Sequence, residues 1–343
     1  MAGNTTYMRA EIEEIPDATR RLLDISGDRL AEVGAALRQL RPVMIATIAR
    51  GSSDNAASFL KYAIELVAGV PVASIGPSVM SVYGRELRLE HCAALSISQS
   101  GKSPDIVAMT ESARRNGALC IALTNTTESP LAAASDISID LAAGAEQSVA
   151  ATKSFVSSVV AGLAILGHWV EDEALLASLK ALPWVFERAI VVDWTPLLVA
   201  LKDRNSLYVL GRGPALAIAM EAALKFKETC GMHAEGYSAA EVLHGPARIV
   251  EAGFPVLALA SRDAGETGVA EIADRLARQG ATAFATTARV ALARKLPFAE
   301  TGHPITDSLS LVVSLYASVE MLSRHRGLDP DHPPHLRKVT ETV

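Results

Sequence analysis

Six consecutive residues, Ser98-Gln99-Ser100-Gly101-Lys102-Ser103, place three hydroxyls, an amide and a glycine between an apolar run and the pair Pro104-Asp105. A phosphate monoester needs several donors converging on it. Hydroxyls and the unsatisfied N–H groups of a helix start supply them without a longer glycine-rich loop. Ser103 suits the N-cap, Pro104 the first helical position and Asp105 the positive helix end, so the plainer reading is only a well-capped helix. The density of hydroxyls favours an anion. The corresponding turn later in the chain, Ser261-Arg262-Asp263-Ala264-Gly265-Glu266, has lost the serine cluster and gained acids, which leaves the earlier loop as the one fit for phosphate. Gly51-Ser52-Ser53 closes another apolar run and offers two more hydroxyls, although alone it is a turn.

A second set could move protons. Glu221, Lys225 and Glu228 are four and three residues apart and share one face of a helix. A solvated salt-bridge stripe explains such spacing equally well. Against it, the chain continues from Cys230 through Gly231, His233, Glu235, Gly236 and Glu241 to His244-Gly245-Pro246, a glycine-punctuated stretch that suits a loop or pocket. His244 combines an acid–base side chain with a restrained backbone, while lone histidines are more often structural.

The elements that must position these residues follow from a repeat. Ile45-Ala-Thr-Ile-Ala-Arg-Gly51 pairs with Leu207-Tyr-Val-Leu-Gly-Arg-Gly213, offset by 162 residues; the runs leading to Gly101 and Gly265 are offset by 164, and those starting at Gly117 and Gly280 by 163. Within each half, short apolar runs alternate with helical stretches such as Ala56–Leu66, Asp105–Arg115, Ala217–Cys230 and Val269–Gln279. This is βαβ wiring and predicts an α/β fold: two tandem domains, each a parallel sheet covered by helices on both faces. Ligands of such sheets sit beyond the carboxyl ends of the strands. The pattern breaks between Pro183 and Asn205, which predicts a first domain over 1–190 with the N-terminal helix, a second over 191–330, and a tail over 331–343.

Composition bounds the function. Of 343 residues half are hydrophobic and a fifth charged, with a formal charge of −6, which suits two packed domains with some apolar surface to cover in an oligomer. No Lys/Arg cluster offers a nucleic-acid surface. Phe155–Val170 carries Ser157, Ser158 and His168 and falls short of a span, so it reads as a buried helix, not a membrane segment. Residues 1–15 show no secretion signal, and the expected compartment is the cytoplasm. Cys92, Cys120 and Cys230 are widely spaced, read as three buried thiols, and suggest neither a disulfide frame nor a metal site.

With these residues laid out, the chain resembles the tandem SIS (sugar isomerase) domains of glucosamine-6-phosphate synthase and, more closely, the SIS-type glucosamine-6-phosphate deaminases. Ser98-Gln-Ser-Gly-Lys-Ser103 is similar to the family's phosphate loop, Ala145-Glu-Gln-Ser-Val-Ala-Ala-Thr-Lys-Ser-Phe155 to its sugar-contacting segment, and Glu221–Pro246 to its catalytic helix and loop. Met8–Pro16 resembles its opening helix and Leu336–Val343 its end. The resemblance implies that Ser98, Gln99, Ser100 and Ser103 grip a 6-phosphate, with Ser52, Ser53, Glu221 and the backbone of Val149 and Ala150 near the sugar. Glu228 would shuttle a proton between C1 and C2, Lys225 would polarise the oxygens, His244 of a neighbouring subunit would assist ring opening, and Lys338 would reach back over the substrate. A homodimer is implied, and neither metal nor organic cofactor.

Departures from the synthase pattern refine the expectation. Met1 is followed by Ala2, with no amidotransferase domain ahead; Leu243 stands where synthases tend to carry Lys, Lys102 replaces an acid, and Gly76–Gly84 looks like the deaminase form of its loop. The expected reaction is deamination with isomerisation of glucosamine 6-phosphate to fructose 6-phosphate and ammonia. The alternatives are a deglycase or isomerase of another amino-sugar or fructosamine 6-phosphate, or a non-catalytic sugar-phosphate sensor, for which the chain has neither an extra domain nor the charge. The tail is expected to be ordered over the active site. Pro330, Pro333 and Pro334 lower the entropy lost on fixing it, and Leu336 and Val339 offer apolar anchors either side of Lys338.

Overall fold

A computed structural model describes residues 5–338. Val339, one of the two expected tail anchors, lies outside the described residues. Ten strands form two five-stranded sheets. The first holds β1 (Ile45–Ile48), β2 (Val72–Ser74), β3 (Ala93–Ile97), β4 (Leu119–Thr124) and β5 (Ile137–Asp140) in the order β2-β1-β3-β4-β5. The second holds β6 (Ser206–Gly211), β7 (His233–Ser238), β8 (Pro255–Ala258), β9 (Thr282–Ala285) and β10 (Arg294–Lys295) in the order β10-β9-β8-β6-β7. Every pairing is parallel. Read from β7, the second order is the first one repeated, which is the repeat seen in the sequence carried into topology.

The chain divides into two compact units. Among the described residues the first-sheet unit comprises 17–146, 153–180 and 337–338; the second-sheet unit comprises 5–16, 147–152 and 181–336. In the first-sheet unit β1 and β3 are buried at every position, as strands covered on both faces must be. Ala46, Ile48, Ala94, Cys120 and Ala122 point to one core with Ile106 and Met109 of the helix Pro104–Arg115. Ile45, Ala93, Leu95 and Ile121 line the opposite side with Leu37, Ile64, Ile165 and Trp169.

The expected buried helix is Lys153–Val170, buried at every position but His168 and Val170. It and Pro304–His325 are long and apolar enough to cross a membrane, and 89% of each apolar window is buried inside the protein. In the second-sheet unit Tyr208, Leu210, Val256 and Ala258 pack with Val269, Ala273 and Leu276 of the helix Glu266–Arg278. The helix Pro214–Cys230 packs on β6 and β7 and against Pro304–His325.

Two expectations change. Pro183 does not break the chain: it sits inside the helix Glu173–Ile190, and the division between units falls between Lys180 and Ala181 of that helix. The stretch after Cys230 is also not all loop, since His233–Ser238 is the edge strand β7. Its glycine is steric in origin: a Cβ on Gly236 would come within 2.8 Å of the Met220 backbone on the helix packed against it.

Candidate active site

In the first sheet the connection from β1 leads to β2 on one side and that from β3 to β4 on the other, so the loops after β1 and β3 diverge at the topological switch point. The sequence-derived hydroxyls are on these two loops. Ser52 and Ser53 open the helix Ser52–Val67, after Gly51 in a left-handed conformation with φ of 56°. Ser98–Ser103 joins β3 to the helix Pro104–Arg115.

The turn is shaped from within. The Gly101 N–H donates to Ser98 Oγ at 3.2 Å and the Lys102 N–H to Ser100 Oγ at 3.3 Å, each leaving the hydroxyl proton for another acceptor. Asn125 N–H donates to the Gln99 carbonyl at 3.1 Å and fixes the turn to the loop after β4. Gly101 has φ of 62°, and a Cβ there would overlap the Ser129 side chain, so glycine is required twice over. Ser103 occupies the N-cap with extended backbone, but its hydroxyl makes no cap bond. It is therefore not spent on the helix, as simple capping had suggested.

Across the switch point, Arg50 in the loop after β1 reaches Asp105 in the first turn of the helix after β3. Its Nε and Nη2 donate to Asp105 Oδ2 at 2.8 and 2.6 Å, and the Ile106 N–H donates to Oδ1 at 2.9 Å. Burial pushes the nearby Asp54 carboxyl above its ordinary value, with Arg50 opposing.

The segment after β5 belongs partly to each unit. In the first-sheet unit, buried Glu146 accepts from Ser154 N–H at 3.2 Å and Ser154 Oγ at 2.7 Å, and from Lys338 Nζ at 3.0 Å. Lys153 Nζ donates to the Ala145 carbonyl at 2.7 Å. Lys338, read as a residue that reaches back from the tail, is thus held by a buried carboxylate, with its side chain 25% exposed.

In the second-sheet unit, Glu11 of the helix Tyr7–Glu13 accepts from the N–H groups of Gln147 and Ser148 and lies 2.5 Å from Ser148 Oγ. The Val149 N–H donates to the Asp331 carbonyl at 3.3 Å. The Asp331 carboxylate in turn accepts from Tyr7 and Met8 N–H at 2.7 and 2.8 Å, which caps that helix. Ser148 Oγ also lies 2.9 Å from the Ala150 carbonyl. The root of the tail and the Val149–Ala150 backbone are therefore tied to the N-terminal helix.

Glu221, Lys225 and Glu228 do not form a solvated stripe. Glu221 and Lys225 are fully buried, and the Glu228 side chain retains 20% exposure. Lys225 Nζ pairs with Glu228 Oε2 and lies 3.6 Å from Glu221 Oε1. Tyr316, fully buried on the helix Pro304–His325, donates its hydroxyl to Glu221 Oε1 at 2.9 Å. The helix ends at Gly231 in the left-handed conformation, with φ of 59°. His244 closes the short 3₁₀ turn Glu241–His244, is exposed, and precedes Gly245 with φ of 146°.

Several members of these clusters escaped the sequence reading: Arg50, Glu11, Asp331 and Tyr316, while Asp105 was read only as a helix-start acid and Glu146 only as part of a quoted segment. Each makes its contact with a residue far along the chain, which spacing does not reveal. Among the described residues no group of three or more His, Cys, Asp or Glu could hold a metal ion. All three cysteines are buried and free, and burial pushes Cys120 up to about 12 and Cys230 up to about 11.

A family model for the SIS domain matches residues 42–166 and 200–295, and the chain belongs to that family. It is 34% identical over 357 residues to a glutamine–fructose-6-phosphate aminotransferase (isomerizing) of Pyrobaculum aerophilum, covering 99% of this chain and 58% of that protein. The chain spans somewhat over half the length of several curated relatives it matches. Among solved structures, a candidate phosphosugar isomerase from Silicibacter pomeroyi DSS-3 is 57% identical with a TM-score of 0.93, over 95% of this chain and 100% of that one. The C-terminal domain of glucosamine-fructose-6-phosphate aminotransferase from Francisella tularensis is 25% identical with a TM-score of 0.84, over 96% and 99%.

Proposed function

We propose that this SIS-family chain is a cytoplasmic sugar-phosphate isomerase that deaminates glucosamine 6-phosphate to fructose 6-phosphate and ammonia. The observation that carries the reading is the buried Lys225 held between Glu221 and Glu228, with Glu228 the acid left partly open to solvent. Proton transfer at carbon needs a carboxylate with a fixed position and a nearby positive charge, and this arrangement supplies both. The names of the aminotransferase relatives support an amino-sugar or ketose 6-phosphate as the substrate class.

In this reading Ser98, Gln99, Ser100 and Ser103 anchor the 6-phosphate, with Ser52 and Ser53 near the sugar. Phosphate binding energy then positions the reactive end. His244, supplied by the partner subunit of a homodimer, assists ring opening to the aldehyde. Glu228 removes the C2 proton, giving the enol-amine, and returns it to C1, giving the C2 imine. Water adds to the imine and ammonia leaves, so one water is consumed for each ammonia released. Val149 and Ala150 line the sugar side, and Lys338 covers it. No metal or organic cofactor enters these steps. Leu243 and Lys102, where synthases tend to carry Lys and an acid, favour ammonia release over synthesis from glutamine.

A panel separates this reading from a deglycase, another isomerase or a sensor. Purified protein is incubated with glucosamine 6-phosphate, fructosamine 6-phosphate and fructose 6-phosphate with free ammonia, and products are quantified. Glucosamine 6-phosphate should be the substrate converted fastest, with ammonia released. Faster release of amine from the fructosamine phosphate would make the protein a deglycase, and binding without turnover of any of them a sensor.

A further inference from the structure

The hydroxyls on the loops after β1 and β3 supply donors but no side-chain cation, and a phosphate monoester carries close to two negative charges. Two cations stand on these loops. Lys102 is exposed within the serine turn, and Arg50 stands in the loop after β1 at the switch point. Arg50 is fixed on one edge: Nε and Nη2 both donate to buried Asp105, itself held by the Ile106 N–H. Its other edge, Nη1, has no hydrogen-bond partner among the described residues, and the side chain is 49% exposed. Ser52, Ser53 and Ser103 likewise have hydroxyls without a protein partner among the described residues. A group of donors with no acceptor of its own is what an oxyanion completes.

The second sheet offers an internal comparison. Arg262, in the loop after β8 that corresponds to the serine loop, spends its guanidinium within the protein. It donates to both oxygens of buried Asp307 at 2.8 and 3.0 Å, to Glu300 at 2.6 Å and to the Thr301 carbonyl at 2.7 Å. Four of its five N–H groups are thereby engaged, and only one on Nη1 is left over. Arg50 is anchored by one carboxylate and stops there.

We propose that Arg50 is a direct ligand of the substrate's phosphate, presented by Asp105, and that it makes the site select phosphate monoesters. This rests on the reading of the serine loop as the phosphate site. Asp105 cancels most of the long-range field of Arg50, so the residue acts as a directional, charge-assisted donor and not as a diffuse positive patch.

The test is calorimetric titration of the full chain with fructose 6-phosphate and with inorganic phosphate, which needs no turnover. Arg50→Gln keeps an amide donor toward Asp105 and should weaken both probes about 10- to 100-fold, the value of a hydrogen bond to a charged group. Arg50→Lys should recover only part, because one ammonium cannot both hold Asp105 and face the phosphate. If Arg50→Gln fails to fold because buried Asp105 loses its cation, the Arg50→Gln/Asp105→Asn double variant replaces the ion pair with an amide pair and is read instead. Wild-type affinity for both probes in the Arg50 variant, with Ser100→Ala weakened, overturns the role of Arg50 and leaves the serine loop standing. A wild-type protein that binds neither probe removes the phosphate site and the proposal together.

Discussion

Glu221, Lys225 and Glu228 put two negative charges and one positive charge within two turns of a single helix, two of the three groups being fully buried. Burying ions costs several kcal/mol each, and their mutual attraction repays this only when further hydrogen bonds satisfy them, so such a cluster is a poor device for stability alone. Tyr316 supplies one of those bonds, to Glu221. Glu221 then stays fixed beside Lys225, and Lys225 holds the Glu228 carboxylate, the group proposed to carry the proton. Tyr316→Phe removes a bond to a buried charge while keeping the ring. We expect about 1.5–3 kcal/mol less stability in urea unfolding, and a fall in kcat with KM for the sugar phosphate little changed. A variant with wild-type kcat would show that Tyr316 matters for packing only. The spacing in the sequence put the three charges on one face, but burial decided what the face is. Spacing is a local property of the helix, and the covering helix Pro304–His325 arrives from some ninety residues away, so a solvated stripe and a buried triad look identical in sequence.

At the level of elements, chemistry is carried where strands end and helices begin, and legibility follows how apolar each element is. β1, β3, β4, β6 and β8 are almost wholly buried and announce themselves as apolar runs. β7 is an edge strand, mostly only part-buried, whose sequence His-Ala-Glu-Gly-Tyr-Ser has no such run, and β10 is two exposed residues. Neither could be seen in advance. The tail is a middle case: its prolines and Lys338 suggested an ordered path, but the partners did not. The structure ties its root through Asp331 to the helix Tyr7–Glu13 and its Lys338 to Glu146, which Ser154 also holds. Lys338→Ala and Glu146→Gln are each expected to lose most turnover, and because they act as one unit the double variant should be little worse than either single one. Losses that multiply in the double variant would mean that the pair seen here is not the arrangement used in turnover.

At the scale of the whole molecule, the repeat visible as offsets near 163 residues proves to be the same strand order built twice, one copy with the serine loop and the other with Arg262 locked to Asp307. Parallel sheets buried on both faces tolerate such divergence, because the core fixes the fold and the loops beyond the strand ends remain free to change. The proposed sharing of His244 between subunits has its own signature. Chains carrying His244→Ala and chains carrying Glu228→Gln should each be nearly inactive, yet mixing and re-equilibrating them should restore about a quarter of wild-type activity, since two sites per mixed dimer draw on different chains and one of them has both residues intact. No recovery would place His244 and Glu228 of one chain in the same site. The central claim is tested most directly by incubating the wild-type protein and Glu228→Gln with glucosamine 6-phosphate and quantifying ammonia and fructose 6-phosphate together. The account predicts equal amounts of the two products from the wild type and a rate lower by about 10²–10⁴ in the variant, which cannot take and return the C2 proton. Ketose phosphate without ammonia, or a variant as fast as wild type, would contradict it.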